Sequence, residues 1–221
     1  MSGVVEAVGK DVDSSLIGKP VAAMTRFGGQ SELVAVKAMQ VFPKPDRLSF
    51  EQAAAIPVNY LTAYALLVVM GSLHKGESIL IHNAGGGVGL AALDIAKKIG
   101  AVTYGTASPG KHKFLAERGL DHAIDYRKQD WFPVLKQMTN GRGVDLVIDP
   151  IGGAHWKKSY AALRATGRLG MFGISAVSAN GLSGKLNMLK AAIQTPRFHP
   201  FGLLNKNRGV FGLNLGHMWH E

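Results

Sequence analysis

From Glu77 onward, short apolar runs alternate with amphipathic stretches, and this alternation sets the architecture. The apolar runs predict strands at Ser78–His82, Val102–Thr106, His122–Asp125, Val144–Asp149, Arg168–Gly173 and Val210–Leu215. Helical spacing falls between the first five, over Val88–Ile99, Lys111–Arg118, Asp130–Thr139 and Ala154–Ala165. In the first of these helices Val88, Ala92, Ile95 and Ile99 share one face, Asp94, Lys97 and Lys98 lie elsewhere, and Gly100 supplies a C-cap. Apolar strands joined by helices imply a parallel sheet covered on both faces. The fold class is therefore α/β, a doubly wound sheet whose usual strand order is 3-2-1-4-5-6.

Before residue 50 the texture differs. Short strand patterns at Val4–Val8, Val21–Thr25 and Glu32–Val36 are separated by Gly-Lys-Pro and Gly-Gly-Gln turns. Ser49 with Gln52 forms a capping box that starts a helix, which continues through Leu61–Met70 until Gly71 and Gly76 break it.

The chemistry concentrates where the first long-sheet strand ends. Ser78 to His82 runs into Asn83-Ala84-Gly85-Gly86-Gly87-Val88-Gly89 and straight into a helix. Glycines let the backbone approach a pyrophosphate, and the free N–H groups of the helix start favour its charge. Ala84 stands where the first glycine of G-x-G-x-x-G would be, so the turn alone is also compatible with a purely steric strand-to-helix connection.

Composition narrows the class. The chain has 221 residues, 47% hydrophobic and 18% charged, enough for a substantial core. Its most apolar segment, Ala63–Met70, is too short to cross a bilayer, so neither a membrane span nor a secretory signal is expected. The net charge of +10 raises nucleic acid as a partner. Lys and Arg are scattered, however, and the one modest cluster, Lys185, Lys190, Arg197, Lys206 and Arg208, reads as a solvated surface, so no nucleic-acid partner is expected. With no cysteine, disulfides and thiolate chemistry are excluded, and a cytoplasmic setting is expected.

An NAD-binding fold places a carboxylate at the end of the second strand, where it accepts from the ribose 2'-OH. Here that strand ends Thr106-Ala107-Ser108, with Lys111 next and no acid. Hydroxyls and an ammonium suit a 2'-phosphate, so NADP(H) is the expected cofactor. Lys111 is also compatible with an ordinary exposed first-turn position.

The residues 82–89, Gly105-Thr106-Ala107-Ser108-Pro109-Gly110-Lys111, Ala123-Ile124-Asp125-Tyr126 and Gly141 to Gly153 resemble the zinc-free quinone oxidoreductases of the medium-chain dehydrogenase/reductase superfamily, and residues 58–64 are most similar to the vesicle amine transport protein branch. The resemblance implies a partial GroES-like catalytic domain over 1–60 and a Rossmann domain over 61–221, the last few residues returning to the former. It also implies a homodimer and a family pattern cut short at both ends. Gly86, Gly87, Val88 and Gly89 would hold the pyrophosphate. Ser108, Lys111 and Tyr126 match positions around the 2'-phosphate, and Phe172, Gly173 and Thr62 match positions near the nicotinamide and its ribose.

Metal ligation is not expected, because no thiolate is available and none of the eight histidines makes an H-E-x-x-H pair. What is left is hydride delivery to a conjugated acceptor, a quinone or enone, which spreads the developing charge itself. No side chain is singled out as a catalytic acid or base. The alternatives are a cofactor-binding module without turnover and an enoyl reductase unit.

Overall fold

The computed structural model describes residues 1–175, 188 and 191–220. The chain divides into two compact units, Met1–Leu61 with the segment from Leu215 onward, and Thr62–Asn214.

The first unit carries a three-stranded antiparallel sheet in the order β1-β2-β3, formed by β1 (Ser2–Val4), β2 (Pro20–Ala23) and β3 (Val41–Pro43). Pairing of β1 stops early: the Val5 N–H donates to Lys19 O and Val5 O accepts from Gly18, whereas a strand to Val8 was expected. The expected strand at Glu32–Val36 is irregular and mostly exposed, and Val41–Pro43 takes the place beside β2. Alternation alone cannot make a strand where no neighbour accepts its hydrogen bonds. Before residue 50 only Ala22 and Ala23 are buried. Segments with so few buried contacts open readily. Limited trypsin digestion is expected to cut before residue 50 sooner than between 77 and 175, and comparable rates would contradict this.

Ser49 caps helix α1 (Phe50–Tyr64) as its sequence requires. The Gln52 N–H donates to Ser49 Oγ at 3.2 Å, and the Ser49 N–H donates to Gln52 Oε1 at 3.0 Å. A π-helical turn over Ala65–Val69 prolongs α1, so Phe50–Val69 is one 20-residue helix with a mean hydropathy of 1.4. By length and composition it could cross a membrane, contrary to the expectation from Ala63–Met70 alone. Reading the apolar segment by itself overlooks that the stretch before it, whose one charged residue is Glu51, belongs to the same helix.

The second unit is a six-stranded parallel sheet ordered β6-β5-β4-β7-β8-β9, the expected 3-2-1-4-5-6 winding. Its strands are β4 (Ser78–Ile81), β5 (Val102–Ala107), β6 (His122–Asp125), β7 (Val144–Asp149), β8 (Leu163–Met171) and β9 (Gly209–Gly212). Helices α2 (Gly87–Ile99) and α3 (His112–Glu117) cover one face, burying Ala92, Leu93, Ala96 and Leu115 with Ile79, Ile81 and Ile148. On the other, α4 (Trp131–Met138) and α5 (His155–Ala161) pack Trp131, Leu135 and Ala162 with Leu80, Tyr104 and Val147. The side-chain period of two thus sorts each strand between two cores.

Several boundaries differ from expectation, β9 closing at Gly212 rather than Leu215 and β8 at Met171 rather than Gly173. Helix α5 ends at Ala161 rather than Ala165, and β8 begins at Leu163, with a register shift between Val144 and Leu146. Thr166, at φ 67°, and Gly167 absorb the extra residues as a bulge, which interrupts the apolar pattern that marks a strand. In the basic cluster, Lys185 and Lys190 lie outside the described residues. Lys206, in α6 (Pro200–Lys206), and Arg208 lie over the Tyr160 ring at 5.9 and 5.5 Å, and Arg208 Nη1 donates to Tyr160 O at 3.1 Å. Both cations are used in packing.

Candidate cofactor-binding site

The carboxyl ends of β4 and β5 build the site. Asn83 takes the left-handed conformation, φ 53°, which turns the chain sharply after β4. The Gly86 N–H then closes on Asn83 O at 2.9 Å, and the Ala84 N–H donates to Thr106 O at 3.1 Å, tying the turn to β5. Gly86 is the N-cap and makes no side-chain cap, and the first intrahelical bond runs from Leu90 to Gly86. The N–H groups of Gly87, Val88 and Gly89 therefore precede the ladder and are available to an anion. Gly89 is needed for packing: a Cβ there would stand 2.7 Å from Ala84 O and against Asn83 O.

Ser108 and Lys111 flank this turn. Ser108 is the N-cap of a single 3-10 turn, Pro109–Lys111, and its hydroxyl makes no capping bond. The exposed Lys111 folds back so that Nζ donates to Gly85 O at 2.8 Å. Tyr126, half-exposed, follows Asp125, which pairs with Ala107 of β5. Ser108 and Tyr126 thus stand one residue beyond paired neighbours at the same sheet end. At the end of β8, the Phe172 N–H donates to Asp149 O at 3.2 Å, and a Cβ on Gly173 would lie 3.0 Å from Pro150 O. Thr62 is buried within α1, on a helix rather than at a strand end.

Thr106 differs from expectation. Its side chain is buried, and its hydroxyl lies 3.0 Å from His82 Nδ1. Thr106 shares strand parity with Tyr104 and so faces the α4/α5 core. Only its carbonyl meets the turn, through the Ala84 N–H.

Sequence reasoning overlooked what Thr106 joins. His82, Asp149, His155, Ser159 and Trp131 form a cluster beneath the turn. His82 Nε2 is 3.2 Å from Ser159 Oγ, Ser159 donates to Asp149 Oδ2 at 2.6 Å, and His155 Nδ1 is 2.7 Å from the same oxygen. Trp131 Nε1 donates to His155 Nε2 at 3.1 Å, and the Ile151 N–H donates to Asp149 Oδ1 at 2.7 Å. Burial drives the His82 pKa down to about 3, with Asp149 opposing and His155 adding to the shift. Burial pushes the Asp149 carboxyl up, but the hydrogen bond from His155, the proximity of the His82 and His155 imidazoles and the Ser159 bond hold it below its ordinary value. The available signal was local: His82 shares the face of Leu80, and His155 and Ser159 stand one helical turn apart.

Residues 87–221 match the zinc-binding dehydrogenase family. The Danio rerio synaptic vesicle membrane protein VAT-1 homolog is 40% identical over 225 residues, 100% of this chain and 46% of that protein. The chain thus spans about half the length of the curated relatives it matches. Among solved structures, CurK enoyl reductase aligns at TM-score 0.79 and 29% identity over 98% of this chain and 60% of its own. A Pseudomonas syringae pv. Tomato quinone oxidoreductase aligns at 0.80 and 30%, over 98% and 62%. A mycobacterial protein in complex with NADPH aligns at 0.80 and 27%, over 98% and 63%.

A zinc ion does not fit the donors this chain offers. Cysteine is absent. Among the described residues, the metal-like grouping is His82, Asp149 and His155, with ligand atoms within 4.8 Å of one another. Each ring nitrogen there already has a hydrogen-bond partner, and the cluster is largely buried, whereas a catalytic zinc keeps one position open to substrate. The matched family span, the glycine turn on a complete six-stranded Rossmann sheet and the VAT-1 likeness along the whole chain together show that it belongs to the zinc-binding dehydrogenase family, in the zinc-free, quinone oxidoreductase-like VAT-1 branch of the medium-chain dehydrogenases/reductases.

Proposed function

We propose that this chain binds NADP(H) and serves a zinc-independent oxidoreductase that passes hydride to a quinone or enone-type acceptor. The observation that carries the cofactor assignment is the end of β5: no carboxylate follows the strand, Ser108 has an uncommitted hydroxyl, and the Lys111 ammonium hangs over the glycine turn. In the bound state Lys111 would exchange Gly85 O for a phosphate oxygen, a stronger, charge-assisted partner. The N–H groups of Gly87, Val88 and Gly89 would carry the pyrophosphate, with Tyr126 beside the adenosine end and Phe172, Gly173 and Thr62 toward the nicotinamide. NADPH, when bound, supplies the hydride. The chain's own contribution is orientation and the exclusion of water around a conjugated acceptor.

The likeness to quinone oxidoreductase favours the acceptor class. The likeness to CurK enoyl reductase favours a second reading, an enoyl thioester in the same role. We also propose a homodimer, since among the described residues β9 stands at the edge of the sheet, which a second copy could extend.

Fluorescence titration tests the cofactor. Lys111→Ala is expected to raise the NADPH dissociation constant about tenfold or more, because a hydrogen bond to a charged group is worth about 1.5–3 kcal/mol. NADH affinity should change less than twofold. An equal shift for both cofactors would remove Lys111 from the 2'-phosphate, and a wild-type protein that fails to bind NADPH would sink the reading. Steady-state NADPH oxidation with a quinone panel against an enoyl thioester separates the two acceptors, and turnover with neither leaves a cofactor-binding module.

A further inference from the structure

We infer that Thr106, His82, Ser159, Asp149, His155 and Trp131 form a hydrogen-bond chain whose two arms both donate toward Asp149, with its two histidines held as opposite neutral tautomers, that positions the nucleotide-binding turn. This inference rests on the NADP(H) reading above.

The direction of every proton follows from the partners. Trp131 Nε1 can only donate, so the lone pair of His155 Nε2 receives it at 3.1 Å and the His155 proton sits on Nδ1, facing Asp149 Oδ2 at 2.7 Å. Ser159 has one hydroxyl proton, and the carboxylate 2.6 Å away takes it. Ser159 Oγ must then accept from His82 Nε2, 3.2 Å distant, so the His82 proton sits on Nε2. His82 Nδ1 is left as an acceptor, and the Thr106 hydroxyl at 3.0 Å donates to it. No donor faces a donor anywhere along the chain, and His82 is fully enclosed in a setting that keeps it neutral. A proton added to either ring would place an N–H against Trp131 or against the Thr106 hydroxyl.

The members come from different elements: Thr106 from β5, His82 directly after β4, Asp149 from the end of β7, Trp131 from the start of α4, and His155 and Ser159 from α5. His82 precedes Asn83, whose left-handed backbone launches the turn, and Thr106 O receives the Ala84 N–H. The chain therefore sets the relative positions of the strand ends from which the pyrophosphate donors project. The rings meet edge to face, His82 with Trp131 at 4.6 Å and with His155 at 4.5 Å, which leaves them little room to flip.

Nitrogen-15 NMR of the histidine-labelled protein between pH 8 and 5 tests the proton assignment, with His155→Asn identifying one ring by its disappearance. The expected result is His82 neutral and protonated on Nε2, and His155 protonated on Nδ1 in its neutral form. A His82 proton on Nδ1, a neutral His155 protonated on Nε2, a charged His82 ring, or loss of both patterns on adding zinc would overturn the chain. Thr106→Val, which removes the donor at constant shape, is expected to weaken NADPH and NADH alike by about fivefold, and Thr106→Ser should restore both to within about twofold. Wild-type binding with unchanged Thr106→Val affinity would refute the positioning role. Absence of NADPH binding by the wild type would instead refute the underlying cofactor reading, while the tautomer measurement still stands on its own.

Discussion

Gly89→Ala is expected to raise the NADPH dissociation constant by about a hundredfold and to destabilise the protein by about 1–3 kcal/mol, the range for forcing atoms into a packed site. The added methyl would stand 2.7 Å from Ala84 O and 2.8 Å from Ala84 C, both backbone atoms that cannot rotate aside. Helix α2 would have to back away from the turn, carrying the N–H groups of Gly87 and Val88 with it. Losing alignment of two donors to a charged pyrophosphate, at about 1.5 kcal/mol each, is what makes the loss about a hundredfold. Two comparisons make the prediction specific. Gly86→Ala meets the Asn83 side-chain amide at 2.6 Å, the end of a side chain that can swing away, so its loss should be smaller. Gly202→Ala lies in α6 with nothing within 4 Å of the new methyl, so it should stabilise slightly and leave binding alone. Titration by NADPH fluorescence and denaturant unfolding of the three variants provides the check. Equal affinities for Gly89→Ala and Gly202→Ala would show that α2 does not present the donors.

The same contrast between backbone and side chain explains what the sequence reveals and what it conceals. The β4 turn is legible because a glycine pattern is a local statement about backbone: Gly86 to Gly89 lie where that pattern places them, and Lys111 follows at loop distance. The sheet is legible because its central strands carry unbroken apolar runs, and Leu146, Val147 and Ile148 admit few other placements. In the first unit, Glu32–Val36 and Val41–Pro43 have comparable strand character, and only pairing with β2 decides between them. Thr106 illustrates a related point. Its distance from the glycine turn suggests the ribose, but a strand offers two faces, and the parity of Leu80 and Tyr104 assigns both His82 and Thr106 to the α4/α5 core. Asp149 and His155 are six residues apart and meet only because β7 ends where α5 begins. No linear motif announces such a cluster.

At the opposite end of the sheet, Arg168→Ala is expected to cost about 3 kcal/mol, at the low end for breaking a buried ion pair because this one is partly exposed. The guanidinium fork is fully occupied: Nε donates to Gly71 O, Nη1 to Glu77 Oε1 at 3.0 Å, and Nη2 to Ser72 O at 2.6 Å and Glu77 Oε2 at 2.7 Å. It thereby fastens β8 to the segment that leads into β4. Burial pushes the Glu77 carboxyl up, and the Arg168 bonds, the His74 N–H and the Arg168 charge outweigh that, so its pKa lies below the ordinary 4.5. A carboxyl lowered in the folded state stabilises above pH 4.5 and loses that contribution as pH falls through the folded value. His82 acts earlier on the same acid limb. It is neutral when folded down to about pH 3 and titrates near 6.5 when unfolded, so its share is complete above pH 6.5 and drains away between those values. Arg168→Ala should therefore lower stability at pH 7, flatten the fall below pH 4.5 and leave the fall from pH 6.5 in place. Arg168→Lys should recover only part of the loss, since a single ammonium cannot span both carboxylate oxygens and the loop carbonyls together. Denaturant unfolding at a series of pH values reads these slopes directly, and a parallel shift of the whole profile would separate Glu77 from Arg168. NADPH affinity should hold in the folded Arg168→Ala protein, because the clamp grips the amino ends of the strands while the nucleotide is held at their carboxyl ends.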